Sequence, residues 1–213
     1  DRMGLQQMVN LNKQARNLIE GRAALIVIDI QASIFIDDSA VRSIDNIAGY
    51  KDRMLKVRSA IDAARAADIP VVFIQEVHHL SLVDFGRELD GNEDIHCLED
   101  NLKTAIAVEE IGFLLNDFLV QKRHYSAFFD TDFETLLKGL GVNTSIMVGG
   151  LTDVCVHYTF VDGHHSDYFF RVIEGCFGGS SLAAHDASIA AMEYLQTGAI
   201  HSLDKVLLAV ATA

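Results

Sequence analysis

Short apolar runs recur along the chain and alternate with segments whose apolar residues follow a helical spacing. A short, nearly unbroken apolar run is typical of a strand with both faces buried, as in a parallel sheet. The runs predict strands at residues 23–30, 71–76, 116–122, 143–150, 167–175 and 199–201. Strands that alternate with helices predict an α/β fold, with a doubly wound, mostly parallel six-stranded sheet and helices on both faces.

The segments between the strands predict the helices. Helical spacing or capping signals occur at residues 5–20, 45–67, 105–111 and 130–140, from Cys155 onward, at 182–197 and after the sixth strand. Residues 1–20 are interpreted as an N-terminal helix or arm. Residues 21–213 are interpreted as a single domain, because no linker, repeat or low-complexity stretch divides them. A domain of this length can bury a sizeable core.

Composition and charge exclude several kinds of partner. The formal net charge of −13 repels phosphate backbones and acidic membrane surfaces, so neither nucleic acid nor a membrane is an expected partner. No apolar run approaches the ~20 residues that span a bilayer, and the polar N-terminus lacks a signal-peptide pattern. Three cysteines favour a reducing, cytoplasmic location. The hydrophobic content of 50% favours a homo-oligomer.

Three chemically distinct residues each lie where a predicted strand pattern stops. Asp29 ends ALIVID, Lys122 ends DFLVQK, and Cys155 ends SIMVGGLTDVC, just after the fourth strand. Parallel sheets bind ligands beyond the carboxyl ends of their strands, so these residues are expected to share one crevice. A carboxylate, an ammonium and a thiol at a helix start together indicate hydrolysis through a thioester. Taken singly, each has a simpler explanation: a loop-bonded carboxylate, a solvated lysine and a buried cysteine.

Three sequence blocks together resemble a known family. ALIVIDIQ, VQKRHYSAF and VGGLTDVCVHYT are similar to the signature blocks of the isochorismatase-like cysteine hydrolases, a superfamily with N-carbamoylsarcosine amidase, nicotinamidase, biuret hydrolase and ureidoacrylate hydrolase members. The resemblance covers about residues 22 to 208. It implies a six-stranded parallel sheet, with Asp29 as general base and acid, Lys122 as electrostatic partner and Cys155 as nucleophile. It also implies a homo-oligomer, most often a tetramer.

The resemblance further implies how the oxyanion is bound. A cis peptide is expected at Gly150–Leu151, and the N–H groups of Leu151 and Cys155 are expected to form the oxyanion hole. Gly149 and Gly150 are equally consistent with tight packing alone. The isochorismatases proper lack the nucleophilic cysteine and cleave a vinyl ether. The presence of Cys155 therefore favours hydrolysis of an amide, carbamoyl or ureido C–N bond.

The segment 76–99 carries a candidate metal site. Glu76, His78 and His96 resemble the nicotinamidase metal ligands, and a carboxylate with two imidazoles suits Zn²⁺. This sequence has Glu in place of Asp, and members without a metal keep a similar Glu-x-His. We therefore expect no metal and no organic cofactor, and we keep Zn²⁺ as an alternative. Without a metal, Glu76 and His78 are expected to hydrogen-bond to the loop backbone and shape the pocket. In the alternative, they bind the ion.

Four residues are candidates for binding the substrate. Arg87 is expected to hold a substrate carboxylate or ureido oxygen, unless it pairs with Glu88 or Asp90 and only braces the loop. Tyr125, Phe128 and Gly150 are expected to line the pocket. The sequence thus predicts a cysteine amidohydrolase acting on a small linear amide or ureide. The alternatives are a metal-assisted nicotinamidase-type deamidase and a non-catalytic binding or redox module on the same fold.

Overall fold

A parallel sheet forms the centre of the molecule in the computed structural model, which describes residues 17–36 and 46–212. Within these residues the strands are β1 (Arg22–Ile28), β2 (Val71–Glu76), β3 (Phe118–Lys122), β4 (Val142–Gly150), β5 (Phe169–Gly178) and β6 (Ile200–Ser202). Their order is β3-β2-β1-β4-β5-β6, and every neighbouring pair is parallel. The chain starts at the centre and winds outward in both directions, which confirms the predicted doubly wound fold.

The sequence of β1 explains its central position. Ala23 to Ile28 are all buried, and alternate residues belong to different hydrophobic clusters: Leu25 and Val27 to one, Ile26 and Ile28 to the other. Side chains of a strand alternate between the two faces of a sheet, so both faces here are apolar. A strand with two apolar faces is stable only when helices cover both.

Helices cover both faces of the sheet. They are α1 (Tyr50–Ala66), α2 (Val108–Ile111), α3 (Phe133–Leu140), α4 (His157–His165), α5 (Leu182–Leu195) and α6 (Leu203–Val210). Helices α1, α2 and α6 contribute buried residues to the cluster around Leu25, and α3, α4 and α5 to the cluster around Ile26. This arrangement confirms the prediction of helices on both faces.

Some predicted boundaries differ from the structure. Strand β5 extends to Gly178, beyond the predicted end at residue 175. Cys155 does not open a regular helix but lies inside a π-helical turn, Thr152–Val156, that precedes α4. Helix α3 begins only at Phe133 and ends at Leu140, and the next residue, Gly141, has a φ of 69°. Glycine reaches this left-handed conformation without steric cost, so it ends the helix there.

The predicted N-terminal helix lies mostly outside the described residues. Its described part, residues 17–20, is not helical. Arg171 donates hydrogen bonds to the carbonyl oxygens of Leu18 and Asn17, at 2.8 and 3.1 Å. Thr144 Oγ1 donates to the carbonyl of Glu20 at 2.7 Å. These contacts direct the backbone toward the sheet and use carbonyl groups that a continuing helix would need.

The long segment between β2 and β3 lies over the carboxyl ends of the strands. It contains two 3₁₀ turns, Glu88–Asp90 and Leu102–Thr104. Backbone hydrogen bonds connect His78 N to Cys97 O at 2.7 Å and Glu99 N to His78 O at 2.9 Å, which fastens the segment beside β2. In the described part of the chain, none of the helices has the length and apolar character needed to cross a bilayer.

Candidate active site

The three predicted catalytic residues meet at the carboxyl edge of the sheet. Asp29 follows β1, Lys122 ends β3, and Cys155 lies in the turn after β4. The Asp29 backbone leaves the strand with a φ of 50°. Aspartate is among the residues that tolerate this left-handed conformation, which here re-aims the chain at the end of the strand.

The Lys122 ammonium lies at the centre of this group. Its Nζ is 2.9 Å from Asp29 Oδ2, 2.9 Å from Glu76 Oε2 and 3.4 Å from Cys155 Sγ. The Lys122 side chain is 0% exposed. A buried ammonium is stable only when it is paired with charges of the opposite sign, and two carboxylates supply them.

Glu76 is a fourth member of this group. The sequence analysis considered it as a metal ligand or as a residue that hydrogen-bonds to the loop backbone. Cys155 Sγ donates to Glu76 Oε2 at 3.6 Å, and Glu76 is the register partner of Lys122 in the β2–β3 pair. Both residues end strands, so the sequence placed them at the same edge. It did not reveal that β2 and β3 are neighbours, and that adjacency creates the contact.

The environment gives the two carboxylates different proton affinities. Burial raises the pKa of Asp29 to about 6, although Lys122 opposes the shift. Burial also raises the pKa of Glu76, but the Lys122 charge and hydrogen bonds from His78 and His96 outweigh it and hold that pKa well below its usual range. Of the two carboxylates, Asp29 therefore has the pKa nearer to neutral pH.

The thiol and the ammonium are both protonated at rest. Burial raises the pKa of the Cys155 thiol well above its usual range, although Lys122 acts against the shift. Burial alone would lower the pKa of Lys122, but Asp29, Cys155 and Glu76 raise it. The thiol therefore needs a base before it can act as a nucleophile.

Close backbone contacts shape the turn that carries Cys155. Gly149 has a φ of 123°, and a Cβ there would lie 2.0 Å from the carbonyl oxygen of Ile28. The next peptide, Gly150–Leu151, is cis. Two side-chain contacts hold the turn from α5 and the end of β5: His185 Nδ1 lies 2.8 Å from Thr152 Oγ1, and Ser180 N donates to Asp153 Oδ1 at 2.8 Å.

A cavity of about 520 Å³ opens beside these groups. Asp29, Glu76 and Cys155 line it, as do Gly150, Leu151 and Tyr125, which the sequence analysis placed at the pocket. Tyr125 Oη donates to Glu93 Oε2 at 3.1 Å. The sequence analysis missed four further lining residues, which are Tyr50, Glu93, Lys103 and Gln31.

Arg87 and Phe128 do not reach the cavity, contrary to the prediction. The Arg87 side chain is 92% exposed, and its Nε lies 2.7 Å from Asp90 Oδ2. Arg87 lies just before a 3₁₀ turn, and this short-range pair supports the alternative that it braces the loop. Phe128 packs instead against Phe133, with ring centroids 4.8 Å apart, and is a partly buried neighbour of the hydrophobic cluster around Ile26.

The three candidate metal ligands lie together with a fourth residue, Glu88. Ligand atoms of Glu76, His78, Glu88 and His96 all lie within 4.8 Å of one another. Glu76 Oε1 is 3.3 Å from Nε2 of both His78 and His96, and His78 Nε2 is 3.5 Å from Glu88 Oε2. The sequence analysis missed Glu88 because the fold of a long loop does not follow from a periodic pattern.

These spacings and donor types fit a zinc ion. Tetrahedral ligands about 2.0–2.1 Å from Zn²⁺ stand roughly 3.3–3.4 Å apart. The same cluster is also consistent with a metal-free state in which His78 is protonated. Burial lowers the pKa of His78, but hydrogen bonds and charges from Glu76 and Glu88 raise it to about 9. A protonated His78 between two carboxylates would satisfy the same groups.

Comparisons with known proteins agree with this architecture. A family model described as Isochorismatase domain matches residues 23–204. The ureidoacrylate amidohydrolase RutB of Rhizobium rhizogenes is 26% identical over 208 residues, 89% of this chain and 79% of that protein. RutB of Pseudomonas savastanoi pv. phaseolicola is 30% identical over 176 residues, 72% and 69% of the two chains. A cysteine hydrolase structure from Pseudomonas syringae pv. phaseolicola matches with a TM-score of 0.78 at 22% identity, covering 93% and 99%.

Proposed function

The chain belongs to the isochorismatase family, and from this and the geometry of the site we propose that it is a cysteine amidohydrolase that cleaves a C–N bond of a small linear amide, carbamoyl or ureido compound. One observation carries the proposal. A buried lysine lies in contact with a thiol and two carboxylates, and these three partners line a cavity. The relatives named ureidoacrylate amidohydrolase support the ureido substrate class.

The proposed reaction begins with proton transfer from Cys155 to Asp29. Glu76 is less suited than Asp29 to accept this proton, because the pKa of Glu76 lies well below its usual range. The pKa of Asp29, raised to about 6, suits a base that must take up and return a proton near neutral pH. Lys122 stabilises the thiolate as it forms, since its ammonium is 3.4 Å from Sγ.

The thiolate then attacks the substrate carbonyl. A C–S bond forms, the carbonyl electron pair moves to oxygen, and the N–H groups of Leu151 and Cys155 hold the oxyanion. The C–N bond breaks as Asp29 returns the proton to the leaving nitrogen. Asp29 next takes a proton from water, whose oxygen attacks the thioester carbonyl. The C–S bond breaks, the acid product leaves, and Asp29 returns this proton to the Cys155 sulfur. The reaction needs no organic cofactor.

An ammonia-release screen tests the proposal. The substrates are ureides, N-carbamoyl amino acids, maleamate and nicotinamide, each incubated with wild-type protein and with Cys155→Ala. The proposal predicts turnover of at least one compound by wild type, and loss of that turnover in the folded variant. Equal turnover by the two proteins would rule out Cys155 as the nucleophile, and no turnover of any compound would reject the substrate class.

A second candidate function is a metal-assisted deamidase. The four-residue cluster of Glu76, His78, Glu88 and His96 favours it, since the spacing of these groups fits Zn²⁺. When bound, the ion would act as a Lewis acid. Metal analysis of the purified protein separates the two candidates. About one equivalent of zinc that is lost in His96→Ala supports a metal site, whereas metal-free protein with full amidase activity excludes a metal requirement.

We also propose that the protein is a cytoplasmic homo-oligomer, with a tetramer favoured. Its three cysteines are free thiols, which suits a reducing compartment. The edge strand β3 and the loop before it expose apolar side chains, with Leu115 98% exposed and Leu114, Phe118 and Leu119 also accessible. Exposed apolar edges usually mark contact surfaces. Light scattering at micromolar concentration tests the assembly, and a stable monomer contradicts it.

A further inference from the structure

Tyr50 is a buried tyrosine at the wall of the active-site cavity. It is the first residue of α1 and is 7% exposed. Backbone and side-chain contacts hold this end of the helix against the end of β5: Ile47 N donates to Gly179 O at 3.0 Å, and Arg53 Nη1 donates to Phe177 O at 3.3 Å. The position of the tyrosine ring is therefore fixed before any substrate binds.

Two glycines make room for Tyr50. A Cβ added to Gly150 would lie 1.9 Å from Tyr50 Oη, and a Cβ added to Gly178 would lie 2.1 Å from its Cδ2. No other residue type fits at these two positions without displacing the ring. The hydroxyl thus occupies the space over the Cα of Gly150, one residue before Leu151, whose N–H belongs to the proposed oxyanion hole.

The Tyr50 hydroxyl is available as a hydrogen-bond donor. It makes no hydrogen bond within residues 17–36 and 46–212, and Tyr50 lines the same cavity as Gly150, Leu151 and Cys155. Burial and the nearby charges of Asp29 and Cys155 raise the pKa of Tyr50. The phenol therefore keeps its proton throughout the pH range in which the enzyme would work.

We propose that Tyr50 is a catalytic residue whose hydroxyl donates a hydrogen bond to the substrate carbonyl oxygen as this oxygen becomes an oxyanion. The inference rests on the proposed amidohydrolase function. In this step the C–S bond forms, the carbonyl electron pair moves onto oxygen, and the tyrosine proton stays on Tyr50 Oη. A fixed donor stabilises developing charge more strongly than water does, because it needs no reorientation.

Tyr50→Phe tests this role, because phenylalanine keeps the ring between Gly150 and Gly178 and removes only the hydroxyl. Steady-state kinetics use the amide or ureide that wild type turns over fastest. Removal of one oxyanion donor should lower kcat by about 100-fold with little change in KM. Tyr194→Phe is the matched control, since Tyr194 is 88% exposed on α5. Thermal unfolding of both variants checks the fold.

An aldehyde matched to the same substrate gives a second readout. Cys155 adds to the aldehyde carbonyl, and the resulting tetrahedral oxygen occupies the oxyanion position. The inhibition constant should rise in Tyr50→Phe by a factor similar to the loss in kcat, and stay unchanged in Tyr194→Phe. Unchanged kcat and inhibition constant in a folded Tyr50→Phe protein would reduce Tyr50 to a packing residue while leaving the amidohydrolase proposal intact. Absence of turnover by wild type would overturn both.

Discussion

Replacing Lys122 with methionine should remove the charge that stabilises the centre of the site. Methionine has a similar length and no charge, so Asp29 and Glu76 would remain buried without a cation. Loss of one partner of a buried ion pair costs about 3–5 kcal/mol. We expect Lys122→Met to lower the free energy of unfolding by about that amount at pH 8, and to reduce turnover by roughly 100-fold or more.

The loss of stability in Lys122→Met should depend on pH. In wild type, the pKa of Glu76 lies well below its usual range, so its contribution is present above the unfolded pKa and disappears as the pH falls. In the variant, the carboxylates without a cation are protonated more readily in the folded state. Their protonation relieves the buried charge at low pH. The difference between wild type and variant should therefore be larger at pH 8 than at pH 5.

Urea unfolding at pH 5 and pH 8 measures this difference. Lys138→Met is the control, because Lys138 forms an exposed pair with Glu134 at 2.9 Å, and solvent-screened pairs of this kind contribute little to stability. The double variant Lys122→Met/Glu76→Gln should recover part of the lost stability. A Lys122→Met protein as stable as wild type at pH 8, or a loss independent of pH, would refute the electrostatic account.

Three further predictions concern turnover and substrate binding. The kcat/KM of wild type should fall as the pH drops through about 6, because protonated Asp29 cannot accept the thiol proton; a flat profile from pH 5 to 8 would contradict this role. Asp29→Asn should lose roughly 100-fold or more in kcat while remaining folded by circular dichroism. Lys103→Ala should raise KM for a carboxylate-bearing amide more than for a neutral one, because the Lys103 cation lines the cavity. Arg87→Ala should leave both KM values unchanged, because the Arg87 side chain lies in solvent.

The sheet and the three strand-end residues could be predicted from the sequence for a physical reason. Both faces of the central strands are buried, so their apolar runs are unmistakable, and parallel strands bring their carboxyl ends to one edge. Asp29, Lys122 and Cys155 could therefore be assigned to one site from the pattern and the family resemblance. Glu76 could not be assigned as the partner of Lys122, because the contact depends on which strands are neighbours.

The residues that loops and helices contribute to the site were harder to predict from the sequence. Arg87 was predicted at the pocket because it is a cation in the loop above the strand ends, but its side chain lies in solvent and pairs with Asp90. Glu88 and Lys103 lie in 3₁₀ turns that no hydrophobic period marks. Tyr50 reaches the cavity only because Gly150 and Gly178, from two different strands, leave room for its ring. Such contacts depend on tertiary structure.

Trapping of a thioester on Cys155 tests the central claim most directly. Wild-type protein is mixed with the substrate found in the ammonia screen, quenched in acid within milliseconds to seconds, and analysed by intact and peptide mass spectrometry. The account predicts a mass increase equal to the acyl part of the substrate, located on the peptide containing Cys155 and absent from Cys155→Ser. Active protein that releases ammonia in a burst but never carries this mass on Cys155 would contradict the covalent mechanism.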